Sequence, residues 1–168
     1  PDSGRILVNG APITNLASES YLRHFGIVPQ DTILFHDTLR SNISYGLQEI
    51  SDTEIMEAGK LAEISDELLQ SPADLDRIVG ERGSMISGGQ RQRVALARAL
   101  IHKPSVLVFD EATSALDAVT EQRIMERIYT LASEQNKAVI IVTHTISNLE
   151  KADEIIMLEA GTITHRKP

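Results

Sequence analysis

Two short stretches carry residue types that could do chemistry on phosphate. The first is Val106-Leu107-Val108-Phe109-Asp110-Glu111, in which four apolar residues run into two acids. Apolar continuity over that length predicts a strand of a parallel sheet, buried on both sides. Open α/β sheets place their ligand sites at the carboxyl ends of strands, which is where Asp110 and Glu111 fall. Adjacent side chains at a strand end point in different directions, so the two acids can divide the work. One can hold Mg²⁺, usually through water, while the other orients and deprotonates an attacking water. The second stretch is Ser87-Gly88-Gly89, immediately ahead of a helical pattern. A helix N-terminus offers free N–H donors and a partial positive charge, and glycine lets a phosphate approach the backbone closely. Each stretch also suits a plainer role: two exposed acids in a turn, and an N-cap serine followed by two flexible residues.

The elements that must position these groups follow from periodicity and turn chemistry. Gly4 to Gly10 reads as a short strand closing at Asn9-Gly10, and Gly26-Ile27-Val28 as a second strand ending at Pro29-Gln30. From Ser51 to about Leu69 the pattern is helical, with a capping-box spacing at Ser51 and Glu54 and with Ile55, Ala58 and Ala62 on one face. Beyond Gly80 the order becomes helix, strand, helix, strand. A helix from near Gln90 carries Val94, Ala97 and Ile101 on one face and stops before Pro104. After the strand 106–109, a helix spans about Ala118 to Ala132 with Ile124, Ile128 and Leu131 inward, and Val139 to Val142 forms a second buried strand. Such alternation indicates parallel strands joined by crossover helices. Glu154 to Leu158 and Gly161 to Thr164 close the chain as a hairpin.

Composition removes several functional classes. The 168 residues suit one domain or one large piece of one, and 42% are hydrophobic. A formal charge of −8 argues against a general nucleic-acid binder, which must offset backbone phosphate with a basic surface. The absence of cysteine excludes disulfides and thiolate metal sites, and the five histidines (His24, His36, His102, His144, His165) are scattered too widely for a histidine metal site. Pro1-Asp2-Ser3-Gly4 reads as a turn and not as a leader. The longest purely apolar run, Ala138 to Val142, is far too short to cross a bilayer, so any work at a membrane is expected from the water side.

Taken in order, Ile86-Ser87-Gly88-Gly89-Gln90, a helix, Val106 to Glu111 and then Ser114-Ala115-Leu116-Asp117 resemble the signature loop, Walker B strand and D-loop of the nucleotide-binding domain of ABC transporters. Val28-Pro29-Gln30 is similar to the Q-loop, and His144, just after the strand 139–142, to the switch histidine. Read singly, Gln30 suits a solvated turn and His144 a satisfied polar residue at a strand end. The stretch from Asp31 to Asn42, with Gly80-Glu81-Arg82-Gly83, most resembles ABC exporters, although Thr145 stands where exporters often carry arginine.

The resemblance implies an α/β fold: a partial RecA-like P-loop NTPase core in two pieces, 1–30 and 103–168, with an inserted helical signature subdomain over about 31–102 and short antiparallel strands. It implies ATP and Mg²⁺ as ligands, with Glu111 as general base, Asp110 and Gln30 on Mg²⁺, and His144 on the γ-phosphate. Ser87, Gly88, Gly89, Gln90 and Asp117 would bind nucleotide, and two domains would pair head to tail, so that Gly88, Gly89 and the helix N-terminus serve the partner's ATP. Further partners would be the coupling helices of a transmembrane domain, placing the protein at a membrane on its cytoplasmic side, or the matrix side in an organelle. No Gly-x-x-x-x-Gly-Lys-Ser/Thr phosphate loop occurs anywhere in the sequence, nor the upstream aromatic that stacks on adenine, so a fragment lacking its N-terminal part is expected. Two alternatives stay open: a non-transport ABC ATPase that uses the same dimer as a clamp, and a non-enzymatic module that naturally lacks the loop.

Overall fold

The computed structural model describes residues 2–64, 68–144, 149 and 151–167, with side chains described through residue 164. Its centre is a parallel sheet of three strands in the order β3 (Phe25–Val28), β4 (Val106–Asp110), β5 (Ala138–Val142). The register runs Val28 opposite Phe109 and Asp110 opposite Val142, so the three carboxyl ends lie level. Ahead of the sheet, β1 (Leu7–Val8) and β2 (Ala11–Pro12) pair around Asn9-Gly10, both at positive φ, and α1 (Ser18–Leu22) follows. At the far end, β6 (Ile155–Glu159) and β7 (Thr162–Lys167) form the expected hairpin, with Ala160 and Gly161 in the left-handed turn.

Between β3 and β4 lie α2 (Leu39–Ile43), α3 (Asp52–Leu61) and α4 (Gly88–Ile101); α5 (Ala118–Gln135) connects β4 to β5. The predicted Ser51–Glu54 capping box forms, and Ile55, Ala58 and Ala62 are buried as their spacing requires. The helix ends at Leu61, however, well before Leu69: Glu63 adopts a left-handed φ of 54° that an α-helix cannot continue. Helix α4 begins at Gly88, two residues ahead of expectation, because Ser87 supplies a complete cap. Gly26 in β3 is required by close approach, since a Cβ there would lie 2.7 Å from Pro104 and 2.9 Å from the Ala99 carbonyl at the end of α4.

The expectation that β4 and β5 are buried on both sides is corrected. In β4, Leu107 and Phe109 are 0% and 2% exposed, whereas Val106 and Val108 are half-buried. On the opposite face Ile27, Ile140 and Val142 stay 50–56% exposed. Helices α4 and α5 supply the core on one side, through residues such as Val94, Leu96, Ile124 and Ile128, and the described residues put no such layer on the other. An unbroken apolar run reports that both faces can be buried; which face is covered depends on what packs there.

One polar cluster ties the helical region together. Asn42, fully buried, donates from Nδ2 to the carbonyls of Phe35 and Thr38 at 3.0 Å each and accepts at Oδ1 from the Phe35 amide at 2.9 Å. Its Oδ1 also receives Arg98 Nη2 at 2.9 Å, while Arg98 Nε and Nη1 donate to the carbonyls of Asn42 and Ile33 at 2.7 and 3.0 Å. The stacked rings of Phe35 and Tyr45, centroids 4.7 Å apart, lie 5.5 and 5.9 Å from the guanidinium. Burial lowers the Arg98 pKa, and carbonyl dipoles and aromatic faces solvate the charge that remains.

Asn42→Ala empties a fully buried site and strips partners from the Phe35 backbone and the Arg98 guanidinium, and should cost about 3 kcal/mol in urea unfolding, against less than about 1 kcal/mol for an exposed polar residue. Hydrogen bonds at helix starts hold three carboxyls below their ordinary range: Glu54 through the Ser51 hydroxyl, Asp74 through the Ser71 amide, and Asp117 through Thr120. Depressed folded values mean that this stabilisation is complete above the ordinary carboxylate pKa of about 4 and is lost as pH falls through the folded values. The melting temperature should therefore drop steadily below about pH 4, and Asp117→Asn should remove part of that slope.

Candidate active site

Strand register alone brings distant residues to one carboxylate. Because Val28 is level with Phe109, Gln30 is level with Glu111, two residues beyond each. The Gln30 amide donates from Nε2 to Glu111 Oε2 at 2.8 Å across 81 residues of sequence. From the other neighbouring strand, His144 lies two residues past Val142 and sets Nδ1 3.6 Å from Glu111 Oε1. Glu111 occupies a left-handed φ of 47°, fixed by its amide donating to the Val142 carbonyl at 2.9 Å. A non-glycine residue there costs of order 1 kcal/mol and turns the chain sharply out of β4. The strain thus falls on the residue whose side chain gathers Gln30 and His144.

Asp110, the last residue of β4, keeps an exposed carboxylate. With Gln30 Nε2 engaged by Glu111, the Gln30 carbonyl oxygen is the end left for a cation. Carboxylate and amide oxygens are the hard donors Mg²⁺ prefers, so the donor types fit that ion. Among the described residues, however, no group of three His, Asp or Glu could hold a metal. Mg²⁺ at Asp110 would need oxygens from elsewhere, as it does where it is shared with substrate phosphates.

The second cluster surrounds the start of α4. Ser87 Oγ accepts from the Gln90 amide at 3.2 Å and Gln90 Oε1 accepts from the Ser87 amide at 2.8 Å. Two of the predicted nucleotide-facing side chains are therefore occupied in capping, which leaves the amides of Gly88 and Gly89 outside the helical ladder. The glycines have a packing role as well: a Cβ on Gly89 would lie 3.1 Å from the Ala115 carbonyl and 3.4 Å from Leu116. The loop 114–117 thus rests on the first turn of α4. Asp117 ends that loop as the N-cap of α5, its Oδ1 accepting from the Thr120 amide at 3.0 Å. Arg91 Nη1 donates to the carbonyls of Ile86 and Gly83 at 2.8 and 3.3 Å and ties the Glu81–Gly83 turn to the same helix start.

The structure accordingly gathers the predicted residues into two groups, Gln30, Glu111 and His144 in one and Ser87 to Gln90 with Ser114 to Asp117 in the other, joined by the short stretch 111–117. Sequence reasoning missed Gln92, which is buried on α4 and bonds to the loop 114–117. Its signal was a polar residue one turn past Gly88 in an otherwise apolar helix face. Thr145, where the sequence departs from the exporter pattern, lies outside the described residues.

The chain resembles known proteins over nearly its whole length. The family described as ABC transporter matches residues 1–114. The chain is 42% identical over 166 residues, 99% of its length, to the ABC transporter ATP-binding protein YfiB of Bacillus subtilis. It is equally identical over 163 residues to the mitochondrial iron-sulfur clusters transporter ATM1 of Candida glabrata, and over 166 residues to the ATM1-type heavy metal exporter of Novosphingobium aromaticivorans. These alignments cover only 28%, 22% and 27% of the respective relatives. A solved bacterial Atm1-family ABC exporter with ATP bound superposes with a TM-score of 0.90 at 41% identity, covering 98% of this chain and 29% of that one. With its partial P-loop NTPase sheet and its signature and strand-end motifs in family order, the chain belongs to the ABC transporter family, as exporter-type nucleotide-binding domain sequence.

Proposed function

We propose that the full-length protein hydrolyses ATP to drive export across a membrane, with this chain supplying part of the ATPase domain. The observation that carries the reading is the Glu111 carboxylate, which Gln30 and His144 approach from the two flanking strand ends. Glu111 takes the proton of the attacking water, Gln30 holds one of its oxygens by a hydrogen bond, and His144 stands 3.6 Å from the other. His144, exposed at the strand end, donates toward the γ-phosphate. Asp110 and the Gln30 side-chain oxygen would hold Mg²⁺, which would offset phosphate charge during hydrolysis. The free amides of Gly88 and Gly89 and the positive end of α4 face the nucleotide of a second copy paired head to tail, where fixed donors stabilise developing charge. Residues 1–30 and 103–168 form the core and about 31–102 the helical insertion.

A transmembrane domain is the second proposed partner. No helix among the described residues is long and apolar enough to cross a membrane. The exposed Ile33, Phe35 and Tyr45, braced from beneath by Arg98, offer an apolar surface between the Q-loop and α4 on which coupling helices can dock from the cytoplasmic side. The exporter names of the relatives support transport over a non-transport clamp.

Two measurements test this reading. In the full-length protein, Glu111→Gln should lower ATP turnover at least about a hundredfold while leaving Mg-ATP binding intact, read by phosphate release and equilibrium binding; unchanged turnover would sink the assignment. The 168-residue chain alone, which has no Gly-rich phosphate loop, should bind Mg-ATP more weakly than about 1 mM and show no turnover. Calorimetry that gave micromolar binding with steady phosphate release would contradict the role assigned to that loop.

A further inference from the structure

Gln92 is the buried polar residue of α4 that the chemistry above leaves unused. It is 5% exposed, and both ends of its amide are engaged by one loop: Oε1 accepts from the Ala115 amide at 3.1 Å and Nε2 donates to Ser114 Oγ at 3.4 Å. Gln92 stands four residues after Gly88 and three after Gly89, so the three share one helix face. The same loop rests on both glycines, with Ala115 Cβ 3.5 Å from a Cβ placed on Gly88 and the Ala115 carbonyl 3.1 Å from one placed on Gly89. The loop is therefore seated by contact at the helix start and hydrogen-bonded one turn further in. Leu116 packs on the core and Asp117 caps α5, which anchors the second half of the loop; the first half, Ser114 and Ala115, depends on α4. Ser114 and Ala115 are themselves exposed, and the turn bonds Ser114 N to Glu111 O, 3.3 Å, and Leu116 N to Thr113 O, 3.0 Å, fix the loop's shape but not its place on α4.

We propose that Gln92 is a positioning residue for ATP hydrolysis. It locks the loop 114–117 to the Ser87–Gly89 turn, so that the two surfaces are presented to the second copy as one rigid unit. The inference rests on the head-to-tail reading given above, in which the Ser87–Gly89 turn acts across the dimer while Asp110 and Glu111 act on their own nucleotide; the loop 114–117, seated on that turn, would face the same second copy. An amide suits the task because it supplies an acceptor for a backbone N–H and a donor for a hydroxyl at the same time, without placing a charge in a buried site. Losing it should leave ATP binding within one copy untouched and impair the step that needs both copies aligned, since small misplacements of positioning groups have large rate effects.

The test uses the full-length protein in lipid nanodiscs with Mg-ATP. Gln92→Met keeps the side-chain volume and removes both hydrogen bonds; Ser114→Ala, at an exposed position, removes only the hydroxyl partner. Gln92→Met should lower kcat about tenfold with KM for Mg-ATP within twofold and an unchanged melting temperature, and Ser114→Ala should lower kcat about threefold. The double variant should be no slower than Gln92→Met alone, because both changes break the same contact. A kcat within twofold of wild type in Gln92→Met overturns the inference. So does a parallel loss of melting temperature and KM, or an additive thirtyfold loss in the double variant. Glu111→Gln, run alongside, separates the two levels: surviving turnover in that variant overturns the ATPase reading and this inference with it. Turnover lost there but unmoved in Gln92→Met overturns this inference alone.

Discussion

The parallel register of β3, β4 and β5 is the constraint on which the rest of the molecule depends. Parallel strands share one direction, so all three chains leave the sheet at the same end, and a register that sets Val28 opposite Phe109 and Asp110 opposite Val142 makes them leave at the same level. Gln30, Glu111 and His144 then meet, each within two residues of its strand, once the left-handed turn at Glu111 is pinned by the Val142 carbonyl. A shift of one residue in either pairing would carry a side chain about 3.3 Å along its strand, enough to break a 2.8 Å hydrogen bond. What holds the register is the covered face: Leu107 and Phe109 point into the core against α4 and α5, and a one-residue slip would exchange them for their half-buried neighbours.

Helix α4 does for the second cluster what the sheet does for the first. Its N-terminus is capped by its own sequence, through Ser87 and Gln90, so the turn that carries Gly88 and Gly89 has a defined shape before anything packs on it. Its apolar face fixes the helix on the sheet, and its far end abuts β3 so closely that only glycine fits at residue 26. Near that end Arg98 reaches into the segment from Ile33 to Tyr45, and the guanidinium is satisfied by carbonyls, Asn42 and two rings with no carboxylate among them. A single rigid rod therefore connects the exposed aromatic surface, the strand that leads to Gln30 and the glycine turn. Displacement at one of these sites must be shared by the others or absorbed by a break in the helix.

The loop 111–117 carries the corresponding link on the other side. It starts in backbone strain at Glu111 and ends in the Asp117 cap of α5, and between these points it lies on α4. A strained residue persists only where its surroundings over-determine it. Here the Val142 carbonyl, the Gln30 amide and the seating of Ser114 and Ala115 on α4 supply that determination.

The sequence by itself determined what is local. The Ser51 and Ser87 caps, the turn at Asn9-Gly10, the hairpin at the end of the chain, the alternation of helix and strand after Gly80, and the position of Asp110 and Glu111 at a strand end all rest on residues within a few positions of one another, where type and spacing are sufficient. Ordered motifs also made the family legible, because several spaced strings agree where one alone would not. Tertiary structure decided everything that depends on a distant partner. Apolar runs at 106–109 and 139–142 cannot say that only one face is covered, since burial belongs to the neighbour and not to the strand. The end of α3 at Leu61 turns on a backbone conformation at Glu63 that composition does not mark. Asn42, Arg98 and Gln92 look like ordinary helical polar residues until chain segments 22 to 65 residues away are brought against them, and only then does each become a hydrogen-bonding hub. Hydrogen bonds across such separations are set by packing and register, which no local pattern encodes.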